Sequence, residues 1–413
     1  MSERRRSFTT SVSERPEHRL LCVCAQADRR KENRIHALAQ QSLDWSLVKE
    51  AACWHQVVPL VYTHLKAVCR DRVPEGIWKE LRSLYYAHTT RNVRLGREEL
   101  PALLAECRRR DIPVIPFKGP ALGALVYPHL SLRSFTDLDL LVPEDTVDRV
   151  DDLLTGRGYQ RTADYHFECG YSATIGGIPF EVDVHWELAD SVHPLRIDHE
   201  ALWRRARPVS MEGVSTRTFA PEDLIVVLGI HGSKHGWARL KWLCDVQQTL
   251  QTYEDITWPR VFTRARSMGA ERMVLLGLAL AKRLLGTALP DSVDRRLGEV
   301  PAMKALEAPV VENLFAESPK MFTPHWEKRI KQDDTFPTQE FLFFRRLRDE
   351  TRIYADPLGV ALQLVTPTEH DRAFVPLPDA LSFLYYLVRP LRLLSKHLRH
   401  WRSLLKSLVH RAS

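Results

Sequence analysis

The sequence predicts an α+β fold in which strands are confined to the middle of the chain and helices occupy both sides of it. A strand-like run at 114–117 opens the middle segment, and a second strand at 137–142 is followed by a helix and a hairpin. The segments on either side show apolar residues at helical spacing instead. We therefore divide the chain into a disordered basic tail, an N-terminal helical region, a strand-containing core and a C-terminal helical region, at residues 1–18, 19–112, 113–215 and 216–413.

The N-terminal part of the chain is expected to support the sheet. Residues 1–18 are polar and basic and lack the apolar segment of a signal peptide, which predicts a disordered tail. Apolar stripes then recur at 45–52, 57–65 and 77–107. This spacing predicts helices whose aromatic side chains pack in the core, and we expect the region to form one wall of a cleft.

In the core, a helix follows the first acidic strand, and the second acidic strand belongs to a hairpin. Pro143–Thr155 has an apolar stripe with acidic residues in its first turn, which predicts a helix that ends at the glycines that follow. Tyr171–Ile175 and Ile178–Trp186 predict the two strands of a hairpin. Gly176-Gly177 between them suits a two-residue turn.

Composition indicates a globular protein of the reducing cytosol. The 413 residues are 44% hydrophobic and 27% charged, and the apolar runs at 224–230 and 273–281 are too short to span a membrane. The seven cysteines are odd in number and show no CxxC spacing, so we expect free thiols and a cytoplasmic location. A net charge of +7 suits an anionic ligand, although excess charge also serves solubility.

Acidic residues alternate along two of the predicted strands. Asp137 and Asp139 project on one face of a strand while the leucines between and after them point into the core. On the later strand, Glu181, Asp183 and His185 likewise share one face. Carboxylate oxygens suit Mg²⁺. The alternative is a pair of strands with solvated charges.

Cations and a glycine turn precede the acidic strand. The run at 114–117 stops at Lys118-Gly119, and Arg133 lies four residues before Asp137. Lysine offers a point charge to phosphate, and arginine offers a bidentate fork. Glycine lets the backbone approach phosphate closely, while Pro120 has no N–H to offer but suits the first turn of a helix.

These motifs together resemble a known family. Lys118-Gly119, Arg133, Asp137-x-Asp139-Leu-Leu-Val and Val182-Asp183-Val-His-Trp are similar to the uncharacterised nucleotidyltransferase family of the DNA polymerase β-like superfamily. The resemblance is strongest over 113–187 and weaker over 231–246 and 366–392. It implies a small mixed β-sheet nucleotidyltransferase core. It also implies that Asp137, Asp139 and Asp183 are the catalytic and metal-binding residues and that Lys118, Gly119 and Arg133 bind the nucleotide.

The resemblance also implies a reaction. A nucleoside monophosphate would pass from a nucleoside triphosphate such as ATP to a hydroxyl or similar group on a small molecule or peptide, with pyrophosphate leaving. Two Mg²⁺ ions roughly 4 Å apart would assist it, with Mn²⁺ as an alternative. Two other hypotheses stay open: a modifier of nucleic acid or protein of the toxin–antitoxin type, and a non-catalytic nucleotide-binding relative. The presence of all three carboxylates argues against the last. Neither the acceptor nor the preferred nucleotide follows from the sequence.

The C-terminal helical region carries further polar motifs. His231 and His235 have the spacing of half a zinc motif, but Gly232 stands where that motif needs glutamate. We favour a helix edge that faces the cleft, and the alternative is a solvated face. The polar groups of this edge are His231, Lys234, His235, Arg239, Lys241 and Asp245. Residues 317–339 are predicted to be a linker. Leu381–Leu408 predicts a basic terminal helix that docks on the body, and its tail is a candidate contact for an acidic partner.

Overall fold

A computed structural model describes residues 15–26, 31–164, 167–189, 195–316, 347, 375 and 378–388 of the chain. The described residues up to 316 form one compact unit. No helix among the described residues combines the length and the apolar character needed to cross a membrane. The predicted linker at 317–339 and most of the predicted terminal helix lie outside the described residues, which include a 3₁₀ helix at Asp379–Leu384.

Six helices precede the sheet. They are α1 (Pro16–Cys24), α2 (Glu32–Ala39), α3 (Trp45–Trp54), α4 (Val58–Val68), α5 (Glu75–Val93) and α6 (Leu100–Arg109), with a π-helical turn between the last two. The first of them corrects the predicted end of the tail at residue 18, because α1 already begins at Pro16. Proline suits the first helical turn, and the Glu17 side chain accepts a hydrogen bond from the backbone N–H of Asp44 at 2.8 Å. Residues 1–14 of the predicted tail lie outside the described residues.

The sheet confirms the predicted α+β fold with a small mixed β-sheet. Its strands are β1 (Ile115–Pro116), β2 (Asp137–Leu141), β3 (Gln160–Asp164), β4 (Glu168–Ile175) and β5 (Ile178–His185), in the spatial order β1-β2-β5-β4-β3. The β2–β5 pair is parallel and the other pairs are antiparallel. Helix α7 (Gly119–Val126) joins β1 to β2, and α8 (Val147–Gly156) joins β2 to β3.

The hairpin forms as its turn residues predict. Gly176 and Gly177 have φ angles of +57° and +77°, the left-handed pair that a type I′ turn requires. The predicted helix at Pro143–Thr155 starts later than expected, because a 3₁₀ turn at Glu144–Thr146 precedes α8.

The two faces of the sheet differ in character. Leu138 and Leu140 of β2 and Val182 and Val184 of β5 are buried in the main hydrophobic cluster, together with side chains of α6 and α8. Because side chains alternate along a strand, the acidic residues between them lie on the opposite face. One face is therefore core, and the other is available for chemistry.

The rest of the compact unit is a small hairpin followed by helices. Helix α9 (His199–Arg205) leads into a two-stranded antiparallel sheet, β6 (Arg207–Met211) and β7 (Val214–Thr218), which the sequence reasoning did not predict. Six helices follow: α10 (Pro221–Lys234), α11 (Leu240–Thr252), α12 (Trp258–Met268), α13 (Glu271–Leu285), α14 (Asp291–Gly298) and α15 (Met303–Leu314). Helix α10 packs on α11, α12 and α13, and α11 also packs on α7 beside the sheet.

The turn between α10 and α11 is fixed by a buried tryptophan. Trp237 is fully buried with φ +52°, and its ring lies against Gly232 and Gly277. A Cβ atom would lie 2.3 Å from the ring at the first glycine and 2.6 Å from it at the second. Gly232 therefore makes room for the indole ring, which explains why no larger residue follows His231.

Candidate active site

The parallel pairing of β2 with β5 brings the predicted acidic residues together. Asp137 pairs with Glu181, and Asp139 pairs with Asp183. A carboxylate oxygen of Asp139, one of Asp183 and a ring nitrogen of His185 all lie within 4.8 Å of one another. Within the described part of the chain, this is the one cluster of three such side chains with metal-binding spacing.

Asp139 is held by two cationic side chains. The Lys118 ammonium group lies 2.5 Å from Oδ1 of Asp139, and Nε2 of His185 lies 3.2 Å from the same oxygen. The other ring nitrogen of His185 lies 3.0 Å from Glu168 Oε2. The result is a chain of alternating charges from Lys118 through Asp139 and His185 to Glu168, with the middle two residues buried and the outer two half-buried.

These contacts shift the acid–base properties of the chain. Burial alone would raise the pKa of Asp139, but Lys118 and His185 outweigh it and hold the pKa well below its usual range. Burial would lower the pKa of His185, yet its hydrogen bonds to Asp139 and Glu168 raise the pKa to about 9. At neutral pH this pKa favours the doubly protonated imidazole, in which each N–H donates to a carboxylate. A metal ion that bound this ring would have to displace one of these protons.

The pKa of Asp183 is shifted in the opposite direction to that of Asp139. Burial, followed by the charges of Asp137 and Asp139, raises the pKa of Asp183 to about 7. Three carboxylates thus meet on one face, and the nearby cations Lys118 and His185 are both bound to Asp139. A divalent cation between Asp139 and Asp183 would remove this repulsion. Their oxygen donors fit Mg²⁺, so the carboxylates suit the expected metal better than His185 does.

Gly119 forms the turn beside this acidic cluster. It has φ +48°, and a Cβ atom there would lie 2.5 Å from the backbone oxygen of Asp137. The turn thus rests directly on the first residue of β2, and helix α7 begins from it with Pro120 in its first turn. Only glycine allows both the positive φ and this close approach.

Arg133 lies under this turn. Its Nε and Nη2 donate to the two carboxylate oxygens of Asp245 at 2.8 and 2.9 Å, and its Nη1 donates to the carbonyl oxygen of Gly119 at 2.9 Å. The Tyr127 hydroxyl also donates to Asp245, at 2.8 Å. Arg133 is only 4% exposed. These partners favour a role in positioning the turn over the expected contact with phosphate.

The expected helix edge closes over the polar face. The rings of His231 and His235 lie 4.6 Å apart, and His235 stacks on Trp242 at 5.0 Å. Burial holds the pKa of both histidines well below its usual range. They are half-buried, so this is not a solvated face. In the described residues they belong to no cluster of three metal-binding side chains.

Three residues of the site were not among those predicted to bind the metal or the nucleotide. His185 lies on the face that alternation had indicated, and Glu168 faces it because the two-residue turn fixes the hairpin register. The two-residue turn and the alternation of side chains together could have indicated both His185 and Glu168. Asp245 follows its partner Arg133 by 112 positions, and no local pattern indicates their pairing.

Comparisons with known proteins bear on this geometry. A family model described as "Uncharacterised nucleotidyltransferase" matches residues 41–286, which is more than half of the chain and covers helices α3 to α13. No curated protein matches the chain. Two solved structures show similarity at low identity. The crystal structure of ANT(2'')-Ia in complex with adenylyl-2''-tobramycin is 16% identical, covers 43% of this chain and 99% of its own, and has a TM-score of 0.29. An antigenic nucleotidyltransferase-like protein from Paracoccidioides brasiliensis is 13% identical, with 50% and 98% covered and a TM-score of 0.33.

Proposed function

This chain belongs to the family of uncharacterised nucleotidyltransferases, and we propose that its reaction is metal-dependent transfer of a nucleoside monophosphate from a nucleoside triphosphate. The acceptor is a hydroxyl or similar group on a small molecule or peptide, and pyrophosphate is released. The observation that carries this proposal is the meeting of Asp139 and Asp183, in register on neighbouring parallel strands, with their oxygens within 4.8 Å.

The acidic cluster has the composition of a divalent-metal site. Asp139 and Asp183 would hold the metal, and Asp137 lies one pleat away on the same face of β2. Mg²⁺ bound there would stabilise the negative charge that develops on the phosphate oxygens. Both cationic neighbours of Asp139 contact its Oδ1, which orients the carboxylate.

The protein groups have separate tasks in the transfer. The acceptor oxygen forms a bond to the α-phosphorus, and the bond from that phosphorus to the bridging oxygen of pyrophosphate breaks. The electron pair leaves with pyrophosphate, and the acceptor proton goes to a base or to solvent. We assign Asp183 to orient the acceptor hydroxyl, because it lies with Asp139 at the metal-binding spacing and, unlike Asp139, has no cationic side chain within hydrogen-bond distance in the described residues.

The test is a screen with the full-length protein. Four labelled nucleoside triphosphates are incubated with Mg²⁺ or Mn²⁺ and with pools of small molecules, peptides or RNA. Pyrophosphate release and label on the acceptor are both measured. We expect release that requires the metal and that is lost in Asp183→Asn, with label on a small molecule or peptide. Label on RNA or protein alone would support the toxin–antitoxin alternative. Nucleotide binding without any release would support the non-catalytic one.

A further inference from the structure

The proposed reaction needs a binding group for the polyphosphate chain, and the two cations expected from the sequence are paired with other carboxylates. Lys118 is paired with Asp139, and Arg133 is paired with Asp245. Two other cations, Arg239 and Lys241, lie at the start of helix α11. In the part of the chain that the structure describes, no carboxylate is within ion-pair distance of either of them, and neither side chain donates a hydrogen bond.

Lys241 lies near the acidic strand. Burial, followed by the charge of Arg133, lowers the pKa of Lys241 to about 8, while Asp137 and Asp245 act in the opposite direction. Lys241 also lies one helical turn before Asp245 on α11, and the partner of Asp245, Arg133, contacts the glycine turn beside the acidic strand. A desolvated cation without a partner is unfavourable, and it is expected where an anion binds.

Arg239 is held in place by the N-terminal helices. Its guanidinium carbon lies 5.6 Å from the centre of the Trp54 ring, and burial lowers its pKa. The backbone N–H groups of Leu240 and Lys241 donate to Nδ1 and to the carbonyl oxygen of His55, both at 3.3 Å. The first turn of α11 is thus docked on the end of α3. Since these N–H groups are taken, the side chains are the groups left to bind an anion.

Polar atoms without partners border the same place. Trp54 Nε1, Gln56 Oε1, His88 Nδ1 and Thr89 Oγ1 are buried and have no hydrogen-bond partner within the described residues. His88 is near Lys241, since burial, Arg91 and then Lys241 lower its pKa. Buried polar atoms normally have partners, so unsatisfied ones on Trp54 and His88, which neighbour the two cations, indicate a ligand.

We infer that Lys241 and Arg239 form the anion subsite of the proposed active site and bind the polyphosphate chain of the nucleoside triphosphate. The inference rests on the proposed function. Lys241 is the contact nearer the acidic strand, and Arg239 lies against Trp54 at the end of α3. Lysine supplies a point charge there and arginine a planar fork, which together suit neighbouring phosphate groups.

Binding of two probes to the full-length protein tests the subsite. The probes are labelled ATP and inorganic tripolyphosphate, each with Mg²⁺. Lys241→Gln and Arg239→Gln keep most of the side-chain length and remove the charge. We expect each to raise the Kd for both probes about tenfold or more, as loss of a charged hydrogen bond does. Lys79→Gln, at an exposed lysine of α5, is the matched control and should leave both Kd values unchanged.

Folding and function are separated by further measurements. The melting temperature of each variant shows whether α11 still docks, and Lys241→Arg should recover most of the lost affinity because it keeps the charge. Wild-type binding of both probes without any nucleotidyl transfer would contradict the proposed function and leave the subsite standing. Unchanged Kd values in folded Lys241→Gln and Arg239→Gln would overturn the subsite, even if the wild type transfers nucleotide. No binding of either probe by the wild type would overturn both.

Discussion

One carboxylate group, that of Asp245, accepts hydrogen bonds from Arg133 through both of its oxygens, at 2.8 and 2.9 Å. The pair joins helix α11 to the segment just before β2. A third N–H of the same guanidinium group reaches the carbonyl oxygen of Gly119. The C-terminal helices therefore fix the position of the glycine turn that packs against the acidic strand.

Breaking this pair should destabilise the protein. Asp245→Asn leaves the Arg133 guanidinium buried with its charge uncompensated, which typically costs about 3–5 kcal/mol. The free energy of unfolding, from denaturant titration monitored by circular dichroism, measures the effect. Asp255→Asn, at an exposed position, should change it by less than about 0.5 kcal/mol. If the two variants are equally stable, the pair does not hold the turn.

Gly119 should tolerate no side chain. In Gly119→Ala, the new Cβ would meet the backbone oxygen of Asp137 at 2.5 Å, in a backbone conformation with φ +48°. A strained residue of this kind costs roughly 1–3 kcal/mol, and the expected displacement of β2 should also reduce pyrophosphate release. Gly156→Ala is the matched control, because a Cβ there meets no atom within 4 Å. Because Gly156 lies in helix α8, this substitution should raise the free energy of unfolding by up to about 1 kcal/mol. Full activity in Gly119→Ala would show that the turn can move without consequence.

The sequence predicts the acidic face well because alternation is a local property. The period of two in a strand was enough to place Asp137, Asp139 and Asp183 on the faces that the structure shows. The glycine pair at 176–177 fixes the hairpin, and the register of Glu168 opposite His185 follows from it. Both conclusions depend only on neighbours along the chain.

The partners of Arg133 and Lys241 could not be predicted from neighbours along the chain. The contact between Arg133 and Asp245 depends on how α11 packs against α7. The contact of Lys241 with the end of α3 likewise depends on how the helical regions meet. An arginine beside an acidic strand has the same local sequence whether it binds phosphate or supports a turn. Only the tertiary packing separates the two roles.

Stability should decrease in acid because of a buried histidine. Burial, with smaller contributions from His18 and Arg239, lowers the pKa of His55 from 6.5 to about 3. Below pH 6.5 the unfolded chain binds a proton at this residue and the folded chain does not. The stabilisation is therefore complete above pH 6.5 and is lost as the pH falls towards 3, with a slope of about 1.4 kcal/mol per pH unit.

The contribution of His55 can be isolated by substitution. His55→Gln should be less stable than the wild type at pH 7, because the N–H of Leu240 loses its acceptor. Between pH 6 and pH 4, however, the free energy of unfolding of this variant should fall less steeply than that of the wild type. The two slopes should differ by about 1.4 kcal/mol per pH unit. His36→Gln replaces an exposed histidine and should keep the wild-type slope. Parallel curves for His55→Gln and the wild type would contradict the assignment.

Asp139 and Asp183 should respond differently to the same substitution. Asp139→Asn leaves the half-buried Lys118 and the buried His185 without their shared carboxylate, so the melting temperature should fall together with activity. Asp183→Asn removes a charge that Asp137 and Asp139 repel, so the metal-free protein should be as stable as the wild type or more stable.

For Asp183→Asn we therefore expect a loss of activity without a loss of fold. Metal-dependent stabilisation of phosphate charge is typically worth several kcal/mol, so turnover should fall roughly a hundredfold or more. The melting temperature in chelator and Mg²⁺-dependent pyrophosphate release are measured on the same samples. Glu181→Gln removes a charge from an exposed position two residues earlier on β5, and it should leave both values near those of the wild type. Wild-type turnover in Asp183→Asn would exclude this carboxylate from the reaction, whereas a melting temperature far below that of the wild type would show that its charge stabilises the fold.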